Sequence, residues 1–326
     1  MTAPLTPATT PTIYFIGVST GSSSIMRVFP AWAEHLGLDA VIHGVDLPLD
    51  AEPARYSAVV EFIKHDPLSL GALVTTHKLN LYQATRPLFD RIGEDAGLLD
   101  EISSISKRGT ELWGHALDPL TSGLALQAIT GDEYWTRTDG ELLLLGAGGS
   151  VLALTLHLHR EQQAGRDVPA RVVVTGRGKT RLREMRDIHE RIGLAIPMTY
   201  CEAAGPEVND LQLAELRAGS MVVNGTGLGK DRPGSPLTDA ARFPERSIAW
   251  DFNYRGDLGF LAQARSQQQE RDLRIVDGWT YFVHGWTRVI AEIFDIEVPT
   301  AGPEFEKLSD IALAAGGIQV PEQNDG

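Results

Sequence analysis

Leu142-Leu143-Leu144-Leu145-Gly146-Ala147-Gly148-Gly149-Ser150-Val151 is the stretch whose reading decides the fold. Four consecutive leucines read as a strand buried on both faces, the signature of a parallel sheet. A glycine turn follows at once, and the run Leu152–Leu158 behind it reads as helix. A glycine turn between a buried strand and a helix lets the backbone approach a phosphate closely. The helix start adds free N–H groups and the positive end of its dipole. In that setting the motif points to a dinucleotide held by Gly146, Ala147, Gly148, Gly149 and Ser150; the alternative is a tight turn without a ligand.

The next strand, Val172–Val174, discriminates between dinucleotides. A site for NAD carries Asp or Glu at the end of this strand, about 20 residues or somewhat more beyond the glycines, to hold the ribose 2′-hydroxyl. Here the strand runs into Thr175-Gly176-Arg177-Gly178-Lys179-Thr180-Arg181, with no acid and three cations. A guanidinium grips a 2′-phosphate bidentately and a lysine adds a point charge. NADP is therefore favoured over NAD, with Thr175, Arg177, Lys179 and Arg181 as contacts; the plainer alternative makes Lys179 and Arg181 solvated helix residues.

Outward from this motif, apolar runs alternate with helical periodicity through most of the 326 residues. That is the pattern of βαβ units. Strands are expected at Ile13–Ile16, Val41–Leu47, Ala72–Thr75, Met198–Tyr200, Met221–Asn224 and Ser247–Asp251, and short extended runs at Ile102–Ser106 and Glu111–His115. Helices are expected over Ser24–Leu36, Pro53–Lys64, Lys78–Phe89, from near Thr121, over Lys179–Ile192, and over Tyr281–Phe294 and Pro303–Ala315 after the final strand. At roughly 150 residues per domain the length fits two domains. The fold class is α/β: an N-terminal α/β substrate domain (12–122) and a Rossmann-type dinucleotide-binding domain (123–278), with a cleft between them. Helices over 279–315 return toward the substrate domain, a floppy start covers 1–11 and a flexible tail 316–326.

Charge narrows the partners. A formal charge of −14 and a pI near 5.1 argue against nucleic acid and against anionic membranes, which need a basic footprint. A single cysteine, Cys201, rules out an internal disulfide and a cysteine metal cage. His157 and His159 fall on different faces of a helix, so no metal site is expected. No run approaches the ~18 apolar residues of a membrane helix, and Met1–Thr12 lacks the character of a signal peptide. A cytoplasmic monomer or homodimer is expected.

Val74-Thr75-Thr76-His77-Lys78 lies where a strand ends and a helix begins, the usual position of a ligand crevice in an α/β sheet. A lysine there can exchange a proton with a substrate hydroxyl. Asp118, after Leu112-Trp113-Gly114-His115, also precedes a helix, and a neighbouring carboxylate would orient the ammonium. Taken alone, each is more commonly a surface charge or a helix cap, and sequence alone does not pair them.

With these motifs in order, the chain from Gly17 to about Phe294 resembles the shikimate/quinate dehydrogenase family. The resemblance implies that Ser22 and Ser24, in Ser22-Ser23-Ser24, hold a substrate carboxylate. It implies Lys78, in a motif one residue shorter than the family's Val-Thr-x-Pro-x-Lys, as the catalytic lysine beside Thr75, and Asp118, in Ala116-Leu117-Asp118, as its partner. Asn224 and Thr226, in Val223-Asn224-Gly225-Thr226-Gly227-Leu228-Gly229, fall near the nicotinamide, and Tyr254 falls on the substrate side. The implied activity is NADP-dependent hydride transfer to or from a ring hydroxyl or ketone of a cyclic hydroxy acid, in the service of aromatic amino acid biosynthesis.

Three departures bear on the substrate. Glu101-Ile102-Ser103-Ser104 stands where the family has Ala-Val-Asn-Thr, so Ser103 replaces an amide and offers one donor in place of two. In Gly278-Trp279-Thr280-Tyr281-Phe282-Val283-His284-Gly285 a glycine replaces the family's substrate-binding Gln, leaving His284 or Tyr281 as substitutes. Ile25 and Met26 follow the serine turn where the family has Pro. A site that loses polyol contacts discriminates by ~10⁴, so the expected substrate is a related ring acid, bulkier or less hydroxylated than shikimate. The alternatives are a non-catalytic ligand-binding paralogue of the same fold and, more weakly, another cofactor-dependent reaction such as an isomerisation.

Overall fold

Two six-stranded sheets account for the alternating pattern of the chain. The computed structural model describes residues 5–230 and 232–317. The elements run β1 (Thr12–Gly17), α1 (Ile25–Leu36), β2 (Val41–Asp46), α2 (Pro53–His65), β3 (Ser69–Val74), α3 (Lys78–Thr85), β4 (Arg91–Ile92), α4 (Glu94–Leu99), β5 (Ser104–Arg108), β6 (Glu111–His115) and α5 (Asp118–Thr130). They continue with α6 (Tyr134–Thr138), β7 (Leu142–Leu145), α7 (Gly149–Gln163), β8 (Val172–Gly176), α8 (Lys179–Ile192), β9 (Met198–Glu202), α9 (Pro206–Ala214), β10 (Met221–Asn224) and β11 (Ile248–Asp251). The last are α10 (Gly259–Arg265), α11 (Gln268–Arg271), β12 (Arg274–Val276), α12 (Trp279–Phe294) and α13 (Pro303–Gly316).

The chain divides into two units, one up to Asp118 together with the residues from Val283 onward, the other Pro119–Phe282. In the first, the strand order is β2-β1-β3-β5-β6-β4. β1 is parallel to β2 and β3, and β5 is antiparallel to both β3 and β6. Every residue of β1 is buried, and Phe29 and Trp32 of α1 are fully buried, each stabilising the core by roughly 1.5–3 kcal/mol. α13 packs on α1, where the Trp32 indole N–H donates to Leu308 O at 2.8 Å. Phe15 meets Trp286 of α12 edge to face at 5.2 Å.

The second unit has order β12-β11-β10-β7-β8-β9, all parallel. Read from the other edge this is the 3-2-1-4-5-6 order of a Rossmann-type sheet, with the crevice at the reversal beside its first strand. That strand is β7, the four-leucine run, and all four leucines are fully buried.

Local chemistry explains where the elements depart from expectation. The helix expected over Lys78–Phe89 stops at Thr85, which leaves helical geometry at φ −127°, and tightens into a 3₁₀ turn, Arg86–Leu88, because Pro87 has no N–H to continue the helical ladder and its ring crowds the carbonyl four residues back. β5 starts at Ser104 rather than Ile102, since the Ile102 N–H turns away to Lys78 O at 3.2 Å. α5 starts at Asp118 rather than near Thr121; an acid and then a proline suit a helix start. Among the described residues the final strand is β12, beyond the last one expected. It joins β4, α4, α6, α10 and α11 as short elements that carry no readable period. The floppy start and tail fall partly outside the described residues, at 1–4 and 318–326. Within them Ala8 N–H donates to Asp66 Oδ2 at 2.8 Å, and Gly316 and left-handed Gly317 close α13.

Candidate active site

In the first unit the expected residues gather along one edge of the sheet. β1, β2 and β3 run parallel, so the segments after Gly17, Asp46 and Val74 emerge side by side, and the antiparallel β5 begins at that same edge. The loop after β1 is fixed by Thr20, whose N–H and Oγ1 both donate to Asp46 Oδ1, at 2.8 and 2.6 Å. Gly44 makes this possible, because a Cβ there would lie 2.0 Å from Thr20 Oγ1. Ser22 donates to Ser19 O at 3.1 Å. Ser24 is the N-cap residue of α1. Hydroxyls beside a helix N-terminus form a favourable setting for a carboxylate. Thr75 lies beside Gly17, with its N–H donating to Ile16 O at 2.9 Å.

Lys78, the first residue of α3, donates to Asp118 Oδ2. Their side chains are 23% and 14% exposed, so the pair is partly withdrawn from water. Burial alone would lower the lysine's proton affinity, but the Asp118 carboxylate, then that of Glu101, and the hydrogen bond to Asp118 outweigh it, and the net shift is upward. Lys78 is thus held as an ammonium with a directed carboxylate. Glu101, 4% exposed, is a second acid acting on it, and no motif in the sequence singles it out.

The second unit holds a cavity of about 420 Å³ at the reversal of its sheet, walled by Gly146–Gly148, Thr175–Gly178, Arg181, Ala203–Pro206, Thr226 and Arg232 among others. Gly146 has φ +107°, and a Cβ there would come within 3.0 Å of Gly225 O, so only glycine fits the turn without displacing that loop. Gly148 caps α7, with open space where its Cβ would stand. Among the described residues, three arginines and no carboxylate line the cavity, an anion-seeking surface in a chain of net charge −14. Glycine clearance, a helix N-terminus and clustered guanidinium groups are what a phosphorylated dinucleotide requires. Arg232 escaped the sequence reading because it lies on a loop with no motif of its own.

No protein-family model matches the chain. It is similar to the shikimate dehydrogenase (NADP+) of Streptococcus thermophilus, 25% identical over 187 residues, which cover 56% of this chain and 60% of that relative's length. The fold matches shikimate 5-dehydrogenase from Thermus thermophilus in complex with NADP(H) and shikimate, with a TM-score of 0.67 and 21% identity over 93% of this chain and 99% of that one. It also matches quinate dehydrogenase from Corynebacterium glutamicum in complex with NAD, with a TM-score of 0.70 and 16% identity over 94% and 99%. The chain has the fold of these dehydrogenases.

Several of the expected contacts have other work to do. The Ser103 hydroxyl accepts the Leu117 N–H at 2.8 Å and faces His115 O at 3.4 Å, so it shapes the turn that carries Asp118. The Asn224 amide is spent internally: it donates to Asp251 at 2.9 Å and to Leu228 O at 3.3 Å, and accepts from Thr226. It builds the Gly225–Leu228 loop rather than lining the cavity. Lys179 is also outside the wall and pairs with Glu202 at 3.3 Å. Gly149 and Ser150 stand behind it as the first turn of α7. Tyr254 belongs to an aromatic cluster, 4.7 Å from Phe282 and 5.5 Å from Trp279 between ring centres. His284 departs furthest from expectation. It is fully buried, stacked at 4.3 Å on Phe305 of α13, and burial lowers its pKa to about 4. A neutral ring enclosed in the core offers no surface to a substrate, so it does not replace the family's Gln.

Proposed function

We propose that the protein is an NADP-dependent oxidoreductase acting on a ring hydroxyl or ketone of a shikimate- or quinate-like cyclic carboxylic acid. The observation that carries this reading is the Lys78–Asp118 pair at the ligand edge of the first sheet. A binding protein has no use for an ammonium held by a directed carboxylate, which disfavours the non-catalytic alternative. The names of its relatives agree with this reading: an NADP+ enzyme of shikimate, and a quinate enzyme with NAD.

Bound nicotinamide supplies the hydride donor or acceptor. The chain's own residues do the rest. Ser22 and Ser24 at the start of α1 anchor the substrate carboxylate. Lys78 Nζ gives its proton to the ketone oxygen in reduction, or accepts it from the hydroxyl in oxidation, while Asp118 fixes the ammonium's direction. Arg177 and Arg181 hold the 2′-phosphate and favour NADP over NAD.

The ring is bulkier or less hydroxylated than shikimate. The Ser103 hydroxyl is committed to the Asp118 turn, and a Cβ at Gly285 would meet nothing within 4 Å, leaving room where the family places a glutamine. NADPH oxidation across a panel of cyclic keto acids tests the reading, with Lys78→Ala as control. Turnover of at least one acid is expected, and Lys78→Ala should lower kcat by ~10² or more, with little change in KM. Ordinary efficiency with 3-dehydroshikimate would overturn the substrate assignment, and an unchanged kcat in Lys78→Ala would remove the lysine from the mechanism.

A further inference from the structure

The four residues from Thr75 to Lys78 follow a path their backbone does not favour. Thr76 has φ +57°, a left-handed conformation that strains a β-branched residue. The His77 N–H closes the turn onto Thr75 O, only two residues back, the tightest hydrogen-bonded turn a chain makes. Such a turn persists only where its surroundings hold it.

The holding group is the His77 side chain. Its ring is 1% exposed, with Nε2 at 3.0 Å from Leu47 O and Nδ1 at 2.9 Å from the Tyr56 hydroxyl. A carbonyl oxygen only accepts, so Nε2 carries the hydrogen and Nδ1 accepts from Tyr56 O–H. Tyr56, also 1% exposed, is anchored in α2. One imidazole therefore bolts the turn to the segment after β2 and to α2. The His77 carbonyl in turn accepts the Leu81 N–H at 2.8 Å, fixing the first turn of α3. Lys78 is the next residue.

We propose that His77, latched by Tyr56 and Leu47, is the positioning residue that aims Lys78 at Asp118 and at the reacting oxygen. The inference rests on the reading of Lys78 as the proton carrier. Without the latch the turn relaxes toward unstrained geometry and the lysine Cα moves with it. A displacement of ~1 Å at a reacting group costs on the order of 10² in rate.

The test follows Lys78 directly by mass spectrometry, as its rate of acetylation by acetic anhydride in the folded chain, with Lys64 and Lys107 as internal standards. In His77→Ala the ammonium loses its alignment with Asp118, which holds its proton, and acetylation of Lys78 should rise by about tenfold. Lys64 and Lys107 should be unchanged. Tyr56→Phe keeps the ring packing while removing the donor, and should give a smaller rise in Lys78 alone even if His77→Ala folds poorly. With an accepted ring acid, both variants should lower kcat while the Kd for NADPH stays within about twofold. An unchanged Lys78 rate in both folded variants overturns the proposal, as does a rise shared by all three lysines. If the wild type turns over no ring acid yet Lys78 alone becomes reactive in the variants, the positioning stands and the proposed reaction fails.

Discussion

The Ser103 hydroxyl accepts the backbone N–H of Leu117 at 2.8 Å, one residue before Asp118. A side chain expected to touch substrate thus acts on the acid that orients the lysine. Ser103→Ala would strand the Leu117 N–H at a cost of about 1 kcal/mol. The expected outcome is a fall in Tm of a few degrees together with a lower kcat and a nearly unchanged KM. Thermal unfolding and steady-state kinetics on the same preparation check it.

The raised proton affinity of Lys78 gives the pH profile a direction. Its ammonium persists above the ordinary lysine value of about 10.4, so ketone reduction should hold its rate into alkaline solution and fall as pH passes through the raised pKa. Asp118→Asn removes the carboxylate that most raises it, and the alkaline limb should move to lower pH. The pair's contribution to stability has the same sense: full below the ordinary lysine value and lost as pH rises through the raised one. A limb that stays in place in Asp118→Asn would contradict the pairing.

Arg177 lines the cavity beside Gly176, where a 2′-phosphate would meet it. Arg177→Ala should weaken NADPH binding by roughly 10–100-fold, as for a lost charge-assisted hydrogen bond of about 1.5–3 kcal/mol. NADH should be nearly unaffected. Titration calorimetry with both cofactors measures the difference.

Asp251, fully buried at the end of β11, has its pKa pushed up to about 6 by burial, against hydrogen bonds from Asn253 and Asn224. The folded state holds this proton more tightly than the unfolded chain. Its contribution to stability is therefore complete below about pH 4, the ordinary aspartate range, and is lost as pH rises to about 6 and beyond. Asp251→Asn cannot ionise. The stability of wild type minus variant should fall by about 3 kcal/mol across that interval, as read from urea melts at successive pH values.

The scaffold and the proposed cofactor site were written in local sequence. Buried strands show as uninterrupted apolar runs, and the glycine turn, the strand behind it and the arginines after β8 are neighbours in the chain as well as in space. The proposed substrate edge was legible only through family resemblance, because Lys78 and Asp118 are forty residues apart and no periodicity joins them. What stayed hidden was the commitment of polar side chains to their own backbone. Ser103 and Asn224 have the right chemistry for a ligand, and only the position of the Leu117 and Thr226 N–H groups shows that the protein uses it. His284 misled for a similar reason. A polar ring in the second turn of a helix reads as accessible until Phe305 is seen stacked upon it.

Lys78 opens α3, where the helix dipole presents its positive end and a cation is disfavoured by about 0.3–1 kcal/mol. The Asp118 and Glu101 carboxylates outweigh that cost, so the lysine's place at a helix start depends on its acids and not on the helix. A library at residue 78 enriched only for survival at high temperature should hold lysine in the wild-type background and yield more readily to serine in Asp118→Asn, while one enriched for turnover should hold lysine in both.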